Sequence, residues 1–118
     1  MSEMDPRLVH GIELFNKKEF FDCHEILEEL WKNQTEPEKQ LTQGLIQIAV
    51  AYYHALRGNR LGADKLLKRG LARVRPFLPE FRNLLLDEFI ASVEKDAETV
   101  SSGAELSLLL LPQIRQRL

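Results

Sequence analysis

The chain has 118 residues, of which 44% are hydrophobic and 29% charged, and its formal net charge is -2 at pH 7. This length predicts one domain spanning residues 1–118, and the small net charge disfavours general attraction to nucleic acid or to an anionic membrane. No apolar run approaches the ~20 residues that span a bilayer, the N-terminus lacks the pattern of a signal peptide, and a lone cysteine excludes an internal disulfide. We therefore expect a cytoplasmic protein with no membrane association.

Two helices are predicted in the first third of the chain. Asp5-Pro6 is typical of a helix start, because aspartate accepts hydrogen bonds from the free amides and proline fits the first helical position. A second helix is predicted from about Glu19 to Asn33. On its helical wheel His24 and Glu28, one turn apart, lie between the buried and the exposed side, and Trp31 lies beside them as a predicted core anchor.

The third predicted helix, residues 40–56, has the sequence QLTQGLIQIAVAYYHAL and contains no formally charged residue. In a chain with 29% charged residues, this predicts a helix that the rest of the protein surrounds on most sides. Its polar residues form one narrow strip along the helix, which consists of Gln40, Gln43, Gln47 and His54. Because burying an unpaired polar group costs ~1–3 kcal/mol, the strip is expected to face other polar side chains or a pocket.

The remainder of the chain predicts two more helices and a packed tail. A fourth helix is expected from about Arg60 to Arg75, with lysine and arginine on its outer side. Pro76 and Pro79 interrupt the chain, so the apolar segment around them is predicted to be a packed loop or a single turn. A fifth helix is expected near residues 88–100. The tail, residues 104–118, is too apolar to hang free and is predicted to pack on the bundle.

The pattern of the whole chain indicates the fold class, because strand signals are essentially absent. We predict an all-α fold, a compact single-domain bundle of about five helices arranged as helical hairpins, with a packed apolar C-terminal tail. The turns of two hairpins share a faint similarity about forty residues apart, with Cys23 and Ala63 at like positions. This similarity hints at a tetratricopeptide-like pair of helices.

The best candidate for chemistry is the place where the second helix meets the third. If these helices pack side by side, His24 and Glu28 can converge with His54, and such a set suits either a divalent metal or acid–base chemistry. The same residues can also form a structural hydrogen-bond network with Gln43 and Gln47, which is their commonest kind of role. A metal is the least favoured alternative, because the sequence has neither the His-Glu-x-x-His zinc pattern nor the Glu-x-x-His pairs of di-iron bundles.

A second candidate surface is the basic outer side of the fourth helix, formed by Lys65, Lys68, Arg69, Arg73 and Arg75. A solvated helix face is the ordinary role of such residues, and an acidic protein partner is the main alternative. Nucleic acid is disfavoured, because aromatic residues do not interleave with the basic ones and no nucleic-acid motif is present. Cys23, on the apolar side of the second helix, is predicted to be an inert core residue.

The segments HEILEELW and QGLIQIAVAYYHALRGNRLGA resemble domain of unknown function family 309, whose members are small all-helical proteins of bacteria, archaea and photosynthetic lineages. The family pattern is Phe followed by His-Glu-x-x-Glu-x-x-Trp, then Gly-Leu-Ile-Gln, a later His, and Gly-Asn with a following Gly-Ala. It falls on Phe20, His24, Glu25, Glu28, Trp31, Gly44, Leu45, Ile46, Gln47, His54, Gly58, Asn59, Gly62 and Ala63. The resemblance covers about residues 14–71. It implies a compact helical bundle and implies no activity.

We interpret the sequence as that of an uncharacterised cytoplasmic helical-bundle protein with a polar pocket between its second and third helices. The pocket is expected to bind a small ligand or a partner segment through His24, Glu28, Trp31, Gln43, Gln47 and His54. One alternative is a small enzyme that uses His24, Glu28 and His54 in acid–base or metal-assisted hydrolysis. Another is a tetratricopeptide-like adaptor with a basic contact face. The sequence assigns no catalytic residue, cofactor or oligomeric state.

Overall fold

The structure is a computed structural model that describes residues 4–117. Five α-helices account for most of these residues. Their bounds in chain order are α1 Pro6–Asn16, α2 Phe20–Lys32, α3 Glu38–Leu56, α4 Arg60–Val74 and α5 Asp87–Ser102. Single 3-10 turns occur at Arg75–Phe77 and Leu106–Leu108. The predicted all-α fold with about five helices is confirmed.

Local sequence signals set the ends of the helices. At the start of α1, Asp5 Oδ1 accepts a hydrogen bond of 2.8 Å from the Arg7 N–H, as the Asp-Pro pair predicts. After α3, Gly58 has φ 81°, a left-handed conformation that glycine adopts without strain. Asn59 then caps α4, because its Oδ1 accepts the Gly62 N–H at 3.1 Å. The short turn between α3 and α4 is therefore tightly specified, and it sets these two helices side by side.

The helices α2, α3 and α4 form one layer with α3 in the middle. Near the start of α2, Phe21 contacts Tyr53 near the end of α3, with 5.5 Å between the ring centroids, and a lysine at the start of α3 lies over the tryptophan at the end of α2. These two helices are therefore antiparallel. On the other side of α3, a Cβ added at Gly70 of α4 would lie 2.6 Å from Ile48 Cγ1. The small residue lets α3 and α4 approach closely.

The core lies between this layer and the remaining helices, α1 and α5. Four buried aromatic rings fill its centre. Phe15 of α1 contacts Phe20 of α2 at a centroid distance of 5.1 Å and Phe89 of α5 at 5.5 Å. Tyr52 of α3 stacks on Phe20 at 5.4 Å. Because the four rings come from four different helices, their contacts join α1, α2, α3 and α5 in a single core.

The C-terminal segment packs against the bundle through polar anchors as well as leucine side chains. The buried carboxylate of Asp96 in α5 accepts the backbone N–H groups of Leu110 and Leu111 at 2.7 and 3.1 Å. Further along, the Asn16 side chain accepts the Ile114 N–H at 2.8 Å and donates to the Ile114 carbonyl at 3.0 Å. Ile114 itself is buried. The predicted packed apolar tail is therefore present.

A small antiparallel sheet replaces part of the segment that was predicted to be a packed loop or single turn. It consists of three two-residue strands, β1 Glu80–Phe81, β2 Leu84–Leu85 and β3 Arg115–Gln116, in the order β1-β2-β3. The turn between β1 and β2 is made by Arg82 and Asn83, which have φ 46° and 70°. Strands of two residues carry too little alternation to be detected in a sequence, and the partner of β2 lies far along the chain. The prediction that strands are absent was wrong at this point.

Candidate functional site

The six residues predicted to form a site lie on α2 and α3, the two helices that were expected to carry them. His24, Glu28 and Trp31 are on α2, and Gln43, Gln47 and His54 are on α3. Each of the six is partly or largely exposed. We call this set of six residues the strip face.

The helical period places the strip face on the outer side of the α2–α3–α4 layer. At 100° per residue, the buried side chains Leu45 and Tyr52 point away from Gln43, Gln47 and His54 on α3. Two cavities of the described chain, one under the β1–β2 turn and one beside the C-terminal segment, are lined by other residues. The strip face thus lies on a surface of the layer, and neither of these two cavities is the polar pocket that the sequence suggested between the second and third helices.

The strip on α3 borders α4 as well as α2. Gln40, at the start of the strip, accepts a hydrogen bond of 2.7 Å from Arg73 Nη1 of α4. At the other end, the His54 ring lies against the beginning of α4, since a Cβ added at Gly62 would be 3.2 Å from His54 Cδ2. The strip therefore runs between two neighbouring helices, with α2 on one side and α4 on the other.

His24 has a defined tautomer because of its hydrogen bond. Its Nδ1 lies 2.7 Å from the carbonyl oxygen of Phe21, and a carbonyl can only accept. Nδ1 therefore carries the hydrogen of the neutral ring, and Nε2 has a free lone pair. This Nε2 lies 3.8 Å from Glu28 Oε2, close enough for an ion pair when the ring is protonated. His24 and Glu28 are thus brought together as predicted from their spacing of one turn.

His54 has the opposite tautomer. The Oδ1 of Asn59 accepts the Gly62 N–H, so the amide nitrogen of Asn59 faces His54 Nδ1, at 3.3 Å. An amide nitrogen can only donate, so Nδ1 of His54 accepts and the neutral ring carries its hydrogen on Nε2. The two histidines therefore present opposite hydrogen-bonding groups at Nε2, an acceptor on His24 and a donor on His54.

The rings of Phe21 and Tyr53 lie between the two histidines, so that four rings form a row. His24 contacts Phe21 at a centroid distance of 5.0 Å, Phe21 contacts Tyr53 at 5.5 Å, and Tyr53 contacts His54 at 5.9 Å. The Arg57 guanidinium lies 5.3 Å from the centre of the Tyr53 ring. The sequence places Phe21 beside Glu28 on the helical wheel without giving it a role, and core packing is the ordinary role it predicts for Tyr53, although one of Tyr52 and Tyr53 could line the strip. The signal that could have found Phe21 is its position one turn before His24, on the same side of α2.

Trp31 and Lys39 form the other end of this surface. Trp31 packs against the core but stays partly exposed, so it is a weaker core anchor than predicted. Lys39 Nζ lies 4.5 Å from the centre of the indole ring, which is the geometry of a cation–π contact. Tryptophan is enriched at protein interfaces, whereas lysine is depleted there, so Trp31 is the member of this pair that favours a binding surface.

Gln47 carries a hydrogen-bond acceptor that the described chain does not use. Its Oε1 is buried and has no hydrogen-bond partner within residues 4–117. Leaving such an atom unpaired costs ~1–3 kcal/mol. Because neighbouring atoms cover Oε1, a donor from outside this chain pairs with it only when the Gln47 side chain turns outward. Gln43 lies one turn earlier on α3 and is also partly exposed.

The residues that the structure describes give little support for metal binding or for thiol chemistry. Within residues 4–117, no three histidine, cysteine, aspartate or glutamate side chains form a group that could hold a metal ion. His24, Glu28 and His54 therefore do not form the three-ligand set that the sequence allowed. Burial raises the pKa of the Cys23 thiol to about 12, so it stays protonated near neutral pH, and its predicted role as an inert core residue is supported.

Much of the basic side of α4 is engaged within the protein. Lys68 pairs with Asp64 at 3.0 Å, one turn away on the same helix, and Arg75 pairs with Glu94 of α5 at 3.0 Å. Arg73 donates to Gln40, as described for the strip. The basic contact face of the adaptor alternative therefore has fewer unengaged charges than the sequence suggests.

These observations define a small all-α protein with a polar face on a layer of three helices. No helix within residues 4–117 is both long and apolar enough to cross a membrane. The chain belongs to the family described as a domain of unknown function (DUF309), whose model matches residues 8–66. The matched range includes every residue of the strip face and ends before the small sheet, α5 and the C-terminal segment.

Two curated relatives are similar to this chain over most of its length. One is an uncharacterized protein, YpuF, of Bacillus subtilis (strain 168), 36% identical over 103 residues, which are 82% of this chain and 59% of the relative. The other is an uncharacterized protein of Aquifex aeolicus (strain VF5), 33% identical over 92 residues, which are 75% of this chain and 27% of the relative. The chain thus spans about three-fifths of the first relative and about a quarter of the second.

Proposed function

We propose that this protein is a cytoplasmic binding module whose strip face holds an extended segment of a partner polypeptide. The mixture of neutral donors and acceptors on that face supports the proposal most. Neutral His24 offers an acceptor at Nε2, neutral His54 offers a donor at Nε2, and Gln47 Oε1 has no partner within residues 4–117. An extended peptide supplies one N–H and one C=O per residue, which complement such a set.

The length of the strip fits a short peptide better than a small molecule. From Gln43 to His54 it measures ~16 Å at 1.5 Å per helical residue. An extended peptide covers that distance with about five residues. Small molecules, by contrast, are usually held in concave pockets that cover most of their surface. We therefore favour a partner segment over the small ligand that the sequence also allowed.

The rings around the strip provide contacts for the side chains of such a segment. Phe21 is 49% exposed although it is aromatic, and its ring lies against the ring of Tyr53. The Arg57 guanidinium lies over the Tyr53 ring. Trp31 with Lys39 offers a second aromatic surface at the opposite end of α2. Aromatic and arginine side chains contribute most of the binding free energy in many protein interfaces. The strip would thus bind the backbone, and the two aromatic ends would select side chains.

Acid–base catalysis by His24 and Glu28 fits the hydrogen bonds less well. In acid–base pairs the carboxylate typically orients the imidazole at one nitrogen and leaves the other free for the substrate. Here Nδ1 of His24 is bonded to a backbone carbonyl, and Glu28 lies on the side of Nε2. When the ring is protonated, Glu28 can pair with the Nε2–H, and the carboxylate then holds the proton that an acid catalyst must deliver to its substrate. This arrangement favours binding over hydrolysis.

A phage-displayed library of random peptides tests the proposal directly. Peptides that the wild-type protein enriches would be synthesised and titrated against it, with backbone amide signals followed by NMR. We expect the signals of Gln43, Gln47 and His54 to shift on binding. The substitution Gln47→Lys should weaken binding at least about tenfold, because it removes the unpaired acceptor and adds a charge to the strip.

The matched control is Gln113→Lys, the same change at an exposed position of the C-terminal segment. It should leave peptide affinity unchanged, and thermal unfolding should show that both variants are folded. The proposal is wrong if the wild type enriches no peptide more strongly than the Gln47→Lys variant does. It is also wrong if the enriched peptides bind the wild type and this variant equally.

A further inference from the structure

Two cations of α3 lie over aromatic rings at the two ends of the strip face. Lys39 Nζ is 4.5 Å from the centre of the Trp31 ring, and the Arg57 guanidinium is 5.3 Å from the centre of the Tyr53 ring. Trp31 belongs to α2, and the Tyr53 ring packs against Phe21 of α2. Both cations are therefore held where α3 borders α2.

The helical period places these two cations on one line along α3. Arg57 follows Lys39 by 18 residues, which are five full turns of about 3.6 residues, so the two lie at the same angle on the helix. Gln43, Gln47 and His54 lie about 40–80° from that line at 100° per residue. The two cations are ~27 Å apart along the helix at 1.5 Å per residue. A segment that follows the strip therefore passes both of them.

Neither cation is paired with a carboxylate inside the part of the chain that the structure describes. The ion pairs found among residues 4–117 include neither Lys39 nor Arg57. A guanidinium has five N–H donors and an ammonium group has three, and a single aromatic ring does not occupy them all. The rings thus hold the two cations in place and leave donors for a carboxylate from outside.

The surface between the two cations disfavours a negative charge. On α2, Glu28 lies in the chain between Phe21 and Trp31, the residues that mark the two ends, and its carboxylate is exposed. A like charge close to it is repelled, whereas the amides of Gln43 and Gln47 pair with neutral groups. The charges on this face therefore favour a segment that is acidic at two points and uncharged between them.

We propose that the partner segment carries two acidic side chains eight residues apart, one on Lys39 and one on Arg57, with uncharged residues between them. This inference rests on the proposed peptide site. An extended chain advances about 3.3 Å per residue, so ~27 Å corresponds to about eight residues. Because eight is even and side chains alternate along an extended chain, both acidic side chains lie on the same side of it. The uncharged middle would pair with the strip.

Peptides from the phage selection test the spacing of the acidic residues. The sequences enriched by the wild type should share two acidic residues eight positions apart. One such peptide would be synthesised together with an isomer in which one acidic residue is exchanged with its inner neighbour. The isomer has the same composition and charge, but this carboxylate then points to the opposite side. Calorimetric titration should show about three- to fivefold weaker binding, the effect of losing one exposed ion pair of favourable geometry.

Variants of the two cations test which carboxylate each one binds. Changing either acidic residue of the peptide to its amide should weaken binding to the wild type about three- to fivefold. In Arg57→Gln, one of these two changes should lose its effect and the other should keep it, and Lys39→Gln should show the reverse. Lys95→Gln removes the same charge from an exposed position of α5 and is the matched control, in which both changes keep their effect.

The possible failures of the two proposals differ. If the enriched peptides bind at the strip but share no acidic pair, or if Arg57→Gln and Lys95→Gln change their affinity equally, this inference is wrong and the peptide site stands. If acidic residues help equally at every spacing, general charge attraction replaces the two defined contacts, and the inference is again wrong. If the wild type enriches no peptide more strongly than Gln47→Lys does, the peptide site and this inference are both wrong.

Discussion

Tyr52 of α3 donates a hydrogen bond of 2.7 Å to Oδ2 of Asp96 in α5, and both side chains are almost completely buried. The same carboxylate accepts the backbone N–H groups of Leu110 and Leu111. One aspartate thus connects the middle helix of the layer, α5 and the C-terminal segment. Because a buried carboxylate is tolerated only when its hydrogen bonds are made, the attachment of this segment depends strongly on Asp96.

Asp96→Ala should therefore be among the most destabilising substitutions in this protein. It leaves one hydroxyl and two backbone amides without an acceptor, and we expect it to lower the free energy of unfolding by about 3–5 kcal/mol. Tyr52→Phe removes a single hydrogen bond and leaves the carboxylate with its two amides, so about 1–2 kcal/mol is expected. Urea denaturation followed by circular dichroism measures both values. Equal losses for the two variants would contradict a central role for Asp96.

The stability of the protein should fall in alkaline solution. Burial raises the pKa of the Cys23 thiol from its usual 9.0 to about 12. Burial, together with the nearby charge of Asp96, raises the pKa of the Tyr52 phenol above its usual 10.0. A group whose pKa is higher in the folded state stabilises the fold fully below its unfolded pKa, and this stabilisation is lost as the pH rises towards the folded value. Each such group lowers the free energy of unfolding by about 1.4 kcal/mol per pH unit in its range.

The variant Cys23→Ala separates these two contributions. The wild type should begin to lose stability near pH 9, where only the thiol differs between the folded and unfolded states. The variant is less stable at neutral pH because of its small cavity, but its stability should stay level until the pH reaches about 10, where Tyr52 begins to contribute. Urea denaturation at a series of pH values is the measurement. Parallel curves for both proteins between pH 9 and 10 would rule out the contribution of Cys23.

Gly70→Ala tests the close packing of α3 and α4. A Cβ at this position would lie 2.6 Å from Ile48 Cγ1 and 2.9 Å from the backbone oxygen of Gly44, which cannot move without shifting the helix. Although alanine favours helix by ~1 kcal/mol, the strain should outweigh this and give a net loss of about 1–2 kcal/mol. Thermal unfolding measures the change. Arg69→Ala, at the neighbouring exposed position, is the control and should be nearly neutral.

The sequence predicted the helices well because each carries a strong apolar period and clear end signals. Residues 40–56 lack charge for the reason inferred, which is that α3 is the middle helix of a layer. The hairpin of Glu80–Phe81 and Leu84–Leu85 could not be foreseen, because strands this short have no measurable alternation. Asp96 was also missed. An aspartate in a helix ordinarily indicates exposure, and only the positions of Tyr52 and the tail amides show why this one is buried.

The two helices that carry the candidate residues could be predicted, but the surroundings of those residues could not. A helical wheel places Gln43, Gln47 and His54 on one side of a helix, but it does not show which neighbours that side meets. Contact between Arg73 and Gln40 shows that the strip also borders α4. The tautomers of His24 and His54 depend on individual hydrogen bonds to Phe21 and Asn59. The periodicity of a sequence does not predict such hydrogen bonds.

Asn59→Asp should reverse the tautomer of His54 without disrupting the fold. One carboxylate oxygen can still accept the Gly62 N–H and cap α4, where a negative charge is favourable. The other oxygen then replaces the donor that faces His54 Nδ1, so this nitrogen must carry a hydrogen. Imidazole nitrogen signals in a hydrogen–nitrogen correlation spectrum report the change, and His24, with Nδ1 bonded to the Phe21 carbonyl, is the internal control that should not change. If Nδ1 of His54 stays unprotonated in the variant at neutral pH, Asn59 does not set the tautomer, and the complementary pair of histidines on the strip face loses its basis.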